Sequence, residues 1–169
     1  MFLPIFSNEV GSLAGEELYY LDLTEGDENA SWTALNTSGK SPGKRYGHTL
    51  CCIFPNIILF GGNTGSSPSN DVFIINIQNE LNNTFVWNKL EVNNNQAPIP
   101  RVYHASNVCT KGNASGMMIL FGGRDAQDQA LNDTWGLRKH RNGTWDWTKA
   151  PTQSTVLPKE RYNVSLSAF

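Results

Sequence analysis

The chain has 169 residues, 17% of them charged, and its 13 Lys and Arg against 15 Asp and Glu leave a formal net charge of −2. The bases are scattered, and neutralising phosphates needs them clustered, so nucleic acid is excluded as a partner. No apolar run reaches the roughly 18 residues of a membrane-spanning helix, the best being broken at Pro55 and Asn56, so no membrane partner is expected.

In chain order, residues 1–37 read as an incomplete unit of short strands: FLPIF, then LYYLDL, then a strand opened by Trp32. The acidic residues 25–29 read as a solvated loop, and the Ser, Gly, Pro and Lys of 37–44 as a linker. Residues 45–92 form the fullest unit. It opens with Arg45-Tyr46-Gly47-His48 and predicts strands over 49–54, 57–60, 72–77 and 87–92, with a glycine pair (Gly61, Gly62) after the second and an Asn-rich loop over 78–84. Residues 93–100 are a polar linker. Residues 101–150 repeat the pattern: Arg101-Val102-Tyr103-His104, a strand ending at Phe121, the pair Gly122-Gly123, Asn132-Asp133 opening a strand over 134–137, the turn Asn142-Gly143, and a last strand starting with Trp145 and Trp147. Beyond a crossing segment, Arg161-Tyr162-Asn163-Val164 begins an orphan first strand over 161–169.

These units are copies of one another. Phe60 falls on Phe121, Asp71 on Asp133 and Trp87 on Trp147, and the leading arginines are spaced by 56 and then 60 residues. Trp32, Trp87 and Trp147 recur at one position, which assigns them to packing between units, while Gly61, Gly62, Gly122 and Gly123 supply positive φ and close backbone approach. Four short strands with a glycine pair and a later tryptophan, repeating at about 50 residues, are the pattern of a kelch-type propeller blade. The expected fold is all-β: about three four-stranded antiparallel blades, roughly half of a six-bladed β-propeller. A ring would then need a second half-propeller, either another copy or further blades, because an isolated half exposes blade faces and strand edges.

A narrower resemblance rests on residues 121–151: GGRDA, Leu131, Asp133, Trp135-Gly136-Leu137, His140-Arg141-Asn142-Gly143, Trp145, Trp147-Thr148 and Ala150-Pro151. This run resembles the kelch region of the protein serine/threonine phosphatases with kelch-like repeats, a plant and protist family. The resemblance implies a non-catalytic interaction or regulatory region of a metal-dependent phosphatase, which recruits a partner or substrate or restrains the enzyme. The two metal ions would belong to an absent phosphatase domain: GD-x-H-G, GD-x-x-D-R-G and G-N-H-E do not occur in this chain, for which no cofactor is expected. Alternative readings are a freestanding or ubiquitin-ligase adaptor kelch protein and, third, a copper radical oxidase propeller.

The candidate binding residues are Arg45, Arg101 and Arg161, which are expected to ring one mouth of the propeller, with Arg124 after the second glycine pair and with Tyr46 and Tyr103. Guanidinium forks hold carboxylates and phosphates bidentately, so the partner implied is a protein or peptide that is acidic or phosphorylated. The competing reading pairs each recurrent arginine with a blade carboxylate such as Asp71, Asp125 or Asp133. Arg124 has no counterpart in the other units and is the sharper candidate. His48 and His104 lack the further ligands that a metal requires and read as structural, so no metal site is expected. Cys51, Cys52 and Cys109 have neither disulfide nor zinc spacing and read as free thiols. MFLPIF lacks a basic leader, and the chain reads as intracellular, cytoplasmic or nuclear.

Overall fold

The computed structural model describes residues 17–22, 26, 28, 30–81, 84–92, 96–151 and 158–167. Asn56–Phe60 shows how the sequence builds the core: all five of its residues are buried. Successive strand residues point to opposite faces. Ile57 and Leu59 therefore enter one apolar cluster, and Ile58 and Phe60 enter another. A strand apolar on both faces is one that lies between two neighbouring sheets.

Three sheets follow one another along the chain. In the first, β1 (Leu18–Asp22) pairs antiparallel with β2 (Ser31–Leu35). The middle sheet contains β3 (Thr37–Gly39), β4 (Thr49–Ile53), β5 (Asn56–Phe60), β6 (Val72–Leu81) and β7 (Thr84–Lys89), in the order β3-β7-β6-β5-β4. The last contains β8 (Ala105–Val108), β9 (Met118–Phe121), β10 (Thr134–Lys139) and β11 (Trp145–Lys149), in the order β11-β10-β9-β8. Each four-stranded meander is a propeller blade, and the expected all-β architecture is present.

Some expected boundaries need correction. Residues 37–44 are not only a linker, because β3 runs parallel to β7 (Gly39 opposite Trp87) and adds a fifth strand to the middle sheet. The loop expected over 78–84 is in part strand, since β6 runs on to Leu81 and β7 starts at Thr84. The register of β6 with β7 shifts between Ile75 and Glu80, where the Gln78 N–H turns to Asn76 Oδ1 (2.8 Å) and the Ile77 N–H to the Pro55 carbonyl (2.9 Å), and pairing then resumes at Glu80 opposite Phe85. The bulge absorbs the residues that the sequence reading gave to a loop. The fourth strand ends at Lys89 rather than at 92. Among residues 158–167 no strand forms: Arg161 and Asn163 donate single backbone bonds to Leu131 and Tyr103, but no neighbouring strand pairs with the segment. The strand expected over FLPIF lies outside the described residues.

Packing between sheets falls on the recurrent tryptophans. Trp147 meets Phe60 of the middle sheet edge-on at 5.1 Å, and Trp87 clusters with Leu18 and Leu35 of the first sheet. Both are almost fully buried, at 2% and 1% exposed, whereas Trp32 is 49% exposed, which corrects the expectation that all three pack alike. The physical reason is directional. Trp147 and Trp87 each lie on the face turned to the preceding sheet, and among the described residues no sheet precedes the first one to cover Trp32.

The glycine pairs set the joint between consecutive units. At Gly61 (φ +68°) an added Cβ would lie 3.1 Å from the Arg101 carbonyl oxygen, and at Gly122 (φ +65°) 2.6 Å from that of Arg161. Those carbonyls accept the N–H of Gly62 (3.0 Å) and Gly123 (2.9 Å), so the leading arginine of each next unit is bonded to the glycine pair before it.

Candidate partner-binding face

The start of β4, the end of β5 and the start of β6 share one end of the middle sheet, and the matching strands do the same in the last sheet. The leading arginines, the glycine pairs and Arg124 all gather at that end. Two of the arginines are turned inward. Arg101 is wholly buried, donating from Nη1 to the Gly122 carbonyl (2.9 Å) and gripping Asp133 with both terminal nitrogens (2.6 and 2.9 Å). Arg45, 2% exposed, donates to the carbonyls of Pro42 (3.0 Å) and Gly61 (2.8 Å) and lies over the Phe73 ring at 5.1 Å. These donors hold the repeat together, so Arg45 and Arg101 do not line a mouth open to a partner, and for Arg101 the competing reading, a pair with the blade carboxylate Asp133, is the one that holds. Arg161 is exposed, with Nε bonded to the Lys159 carbonyl at 3.0 Å.

The carboxylates differ between the two sheets. Burial alone would raise the Asp133 pKa, but hydrogen bonds from Arg101 and Trp135 and the charges of Arg101 and Lys149 hold it below the usual value. Asp71 occupies the matching position. Burial opposes its ionisation too, yet Lys89 at 2.5 Å, the Ser69 hydroxyl and the charge of Arg45 keep its pKa low. Arg101 therefore has a fork-shaped carboxylate partner, whereas Arg45 relies on carbonyls.

Two positions beyond each leading arginine, the backbone is left-handed: Gly47 (φ +65°), Tyr103 (φ +56°) and Asn163 (φ +53°). This conformation turns the carbonyls along the row, so that the Tyr103 N–H bonds to Gly47 O (2.8 Å) and the Asn163 N–H to Tyr103 O (2.9 Å). Glycine and asparagine tolerate it well, but a tyrosine there is strained by about 1–3 kcal/mol. Its ring is put to use. Tyr103 lies 6.0 Å from Tyr46, and the Arg124 guanidinium carbon sits 5.6 Å from the Tyr103 ring centre and 5.4 Å from that of Tyr162. Arg124 is thus within reach of two aromatic rings, each an attractive cation–π contact.

Arg124 is fixed by its backbone as well, through a two-way bond with Val102 (2.9 and 2.8 Å) that Asn63 makes with Tyr46 in the middle sheet (2.8 and 3.0 Å). Its Nε lies 3.4 Å from Asp128 Oδ1 and has no hydrogen-bond partner among the described residues. Asp125 does not compete for it, because Oδ1 of Asp125 accepts the N–H groups of Gln127 and Gln129, both at 2.9 Å. The structure therefore unites Arg124, Tyr103 and Tyr46, adds Tyr162, and leaves Arg45 and Arg101 in the interior. Sequence reasoning passed over Tyr162, although Arg161-Tyr162 repeats Arg45-Tyr46.

The histidines are structural in their surroundings. His104 Nε2 lies 2.9 Å from Thr49 Oγ1 in the sheet before, and its ring meets Phe60 edge-on at 5.1 Å. Burial, then the charges of Arg101 and His48, lower its pKa to about 3, while burial and Arg45 lower that of His48 to about 4. Among the described residues no three His, Cys, Asp or Glu converge as metal ligands. No described helix is long and apolar enough to cross a membrane.

Known sequences give this geometry its context. Residues 7–169 match the KLHDC2/KLHL20/DRC7 kelch-repeats domain. The chain belongs to the kelch-repeat family. This kelch chain is 34% identical over 151 residues to the serine/threonine-protein phosphatase BSL2 of Arabidopsis thaliana, covering 89% of its own length and 14% of that protein. It is 26% identical to kelch domain-containing protein 10 of Rattus norvegicus, covering 77% of itself and 30% of the relative. To tip elongation aberrant protein 1 of Schizosaccharomyces pombe it is 27% identical, covering 80% and 11%. The kelch chain thus spans less than a third of each of these relatives. Similarity to BSL2 bears out the resemblance carried by residues 121–151, and kelch domains of this kind mediate protein interactions.

Proposed function

We propose that this kelch domain is the partner-recognition region of a serine/threonine protein phosphatase, recruiting an acidic or phosphorylated protein segment to the enzyme. The observation that carries the reading is Arg124 beside Tyr103 and Tyr162. The Arg124 side chain beside these rings is 31% exposed, and a guanidinium grips a carboxylate or phosphate with two parallel hydrogen bonds. Recruitment raises the effective concentration of substrate at a catalytic domain without new chemistry. The association with a phosphatase is supported by the similarity to BSL2.

A second reading, an adaptor kelch protein, is favoured by the 29% identity over 125 residues to the F-box/kelch-repeat protein At1g51550 of Arabidopsis thaliana. Coding sequence beyond residue 169 separates the two: the three metallophosphatase segments support the first, and an adaptor-binding segment the second. The face itself is tested by titrating the protein with degenerate acidic peptides, with and without phosphoserine. Arg124→Ala should weaken binding about 10- to 150-fold, the worth of one charge-assisted bond, with the urea midpoint retained. Equal binding by a folded Arg124→Ala protein would refute the reading.

A further inference from the structure

We propose that the opposite end of the last sheet carries a second, separate site: a basic cleft that takes an acidic segment of a protein partner through its carboxylates or phosphates. It does not depend on the role given to Arg124. The cleft has a volume of about 880 Å³ and lies where the β8–β9 loop faces the β10–β11 hairpin, with Ile53 of β4 reaching in from the neighbouring sheet. Four bases in sequence, Arg138, Lys139, His140 and Arg141, line it, a local cluster that the reading of the bases as scattered passed over, and no carboxylate does. The acid within the β10–β11 hairpin, Asp146, is taken up by His140 at 2.8 Å.

The walls are built before any ligand arrives. Arg138 bonds the Asn113 carbonyl and reaches the Met117 sulfur at 3.0 Å, tying strand to loop. Lys139 lies over the Trp145 ring at 5.9 Å. The hairpin is closed by the His140 N–H on Thr144 O (2.8 Å) and by Asn142 Oδ1, which accepts from the Thr144 N–H (3.1 Å) and hydroxyl (2.8 Å). Such pre-organisation spares the ordering cost of binding.

The repeat does not need these bases. In the middle sheet the corresponding residues, 72–89, contain no Lys or Arg before Lys89 and still form two paired strands. A feature that one copy of a repeat carries and the other folds without is free to serve a ligand. Its chemistry favours an acidic peptide over other polyanions. The bases face a concavity, unlike the flat or convex patch that meets a lipid surface. No aromatic lines the cleft, and Trp145, under Lys139, is 3% exposed and offers no face for base stacking.

The test uses the full protein and labelled peptides of repeated glutamate, with and without one phosphoserine, measured by fluorescence anisotropy at several salt concentrations. In an Arg124→Ala background, where the weaker binding that remains reports on this cleft, binding of either peptide should weaken about tenfold or more on adding Lys139→Glu with Arg141→Glu, with the urea midpoint kept. Dependence on phosphoserine identifies phosphate as the anion read, and equal binding of both peptides identifies carboxylates; either supports the site. If the double variant loses stability, Arg141→Glu alone, at an exposed position, is the measurement to use. Unchanged residual affinity in a folded charge-reversed Arg124→Ala protein, no residual binding in Arg124→Ala alone, or tighter binding to anionic vesicles or duplex DNA would overturn the proposal.

Discussion

Asp133 and Asp71 occupy the same place in two copies of one unit, and the structure assigns them very different costs of removal. Asp133→Asn changes a carboxylate gripped by a wholly buried Arg101 at 2.6 and 2.9 Å, which also accepts the Trp135 Nε1–H at 2.7 Å. An amide retains one acceptor oxygen, replaces the other with a donor facing donors, and removes the counter-charge of Arg101. Removing one partner of a buried pair costs about 3–5 kcal/mol. Asp71→Asn instead disturbs a pair with Lys89 in which both side chains are about a third exposed, while Arg45 keeps its bonds to Pro42 and Gly61. Solvent screening limits that loss to roughly 0–1 kcal/mol. Urea unfolding at pH 7, followed by tryptophan fluorescence, measures both. With a slope near 2 kcal/mol/M, Asp133→Asn should lower the midpoint by about 2 M and Asp71→Asn by less than about 0.5 M. Equal shifts would show that the Arg101 grip contributes nothing beyond a surface pair.

The buried histidines make stability depend on acid. Between about pH 6.5 and 4 the unfolded chain binds protons at His48 and His104 that the folded chain refuses, so stability falls with falling pH by about 1.4 kcal/mol per unit for each. The lowered carboxylates Asp71 and Asp133 extend the loss below about pH 4, where the unfolded chain protonates first. His104→Gln should remove about one proton from the slope, and a slope unchanged in that variant argues against its burial as neutral imidazole. Trp87→Ala and Trp147→Ala should each cost about 3–5 kcal/mol and Trp32→Ala under about 1 kcal/mol, an ordering that melting scans read directly. Tyr103→Asn, which installs the residue that follows in the row at the same left-handed position, should leave the urea midpoint nearly unchanged yet weaken acidic-peptide binding, because Arg124 loses one ring; undiminished binding would remove Tyr103 from the face.

Most of the fold was legible because propeller strands announce themselves twice, once by local alternation and once by repetition. Asn56–Phe60 and Met118–Phe121 sit where an apolar run precedes a glycine pair, and the pairs sit where a next unit must bond closely. What the sequence hid was of longer range. That Thr37–Gly39 would cross to the neighbouring sheet depends on an open edge at β7, which no local pattern records. The bulge after Ile75 depends on where two ladders fall out of step.

The arginines show the same division at the site. Recurrence placed Arg45 and Arg101 at the head of each unit and left two directions open, outward to a partner or inward to a blade carboxylate. A position that every unit needs is the one that the joint between units consumes, here through Gly61, Gly122 and Asp133. The candidates left to meet a partner are departures from the repeat. Arg124 stands where the other copy has Asn63, Tyr103 where it has Gly47, and the bases 138–141 where it has an Asn-rich ribbon. Where two copies of one unit fold alike, the difference between them is not required for folding, and the side chains that differ at the two ends of the last sheet are those with hydrogen-bonding edges left to offer.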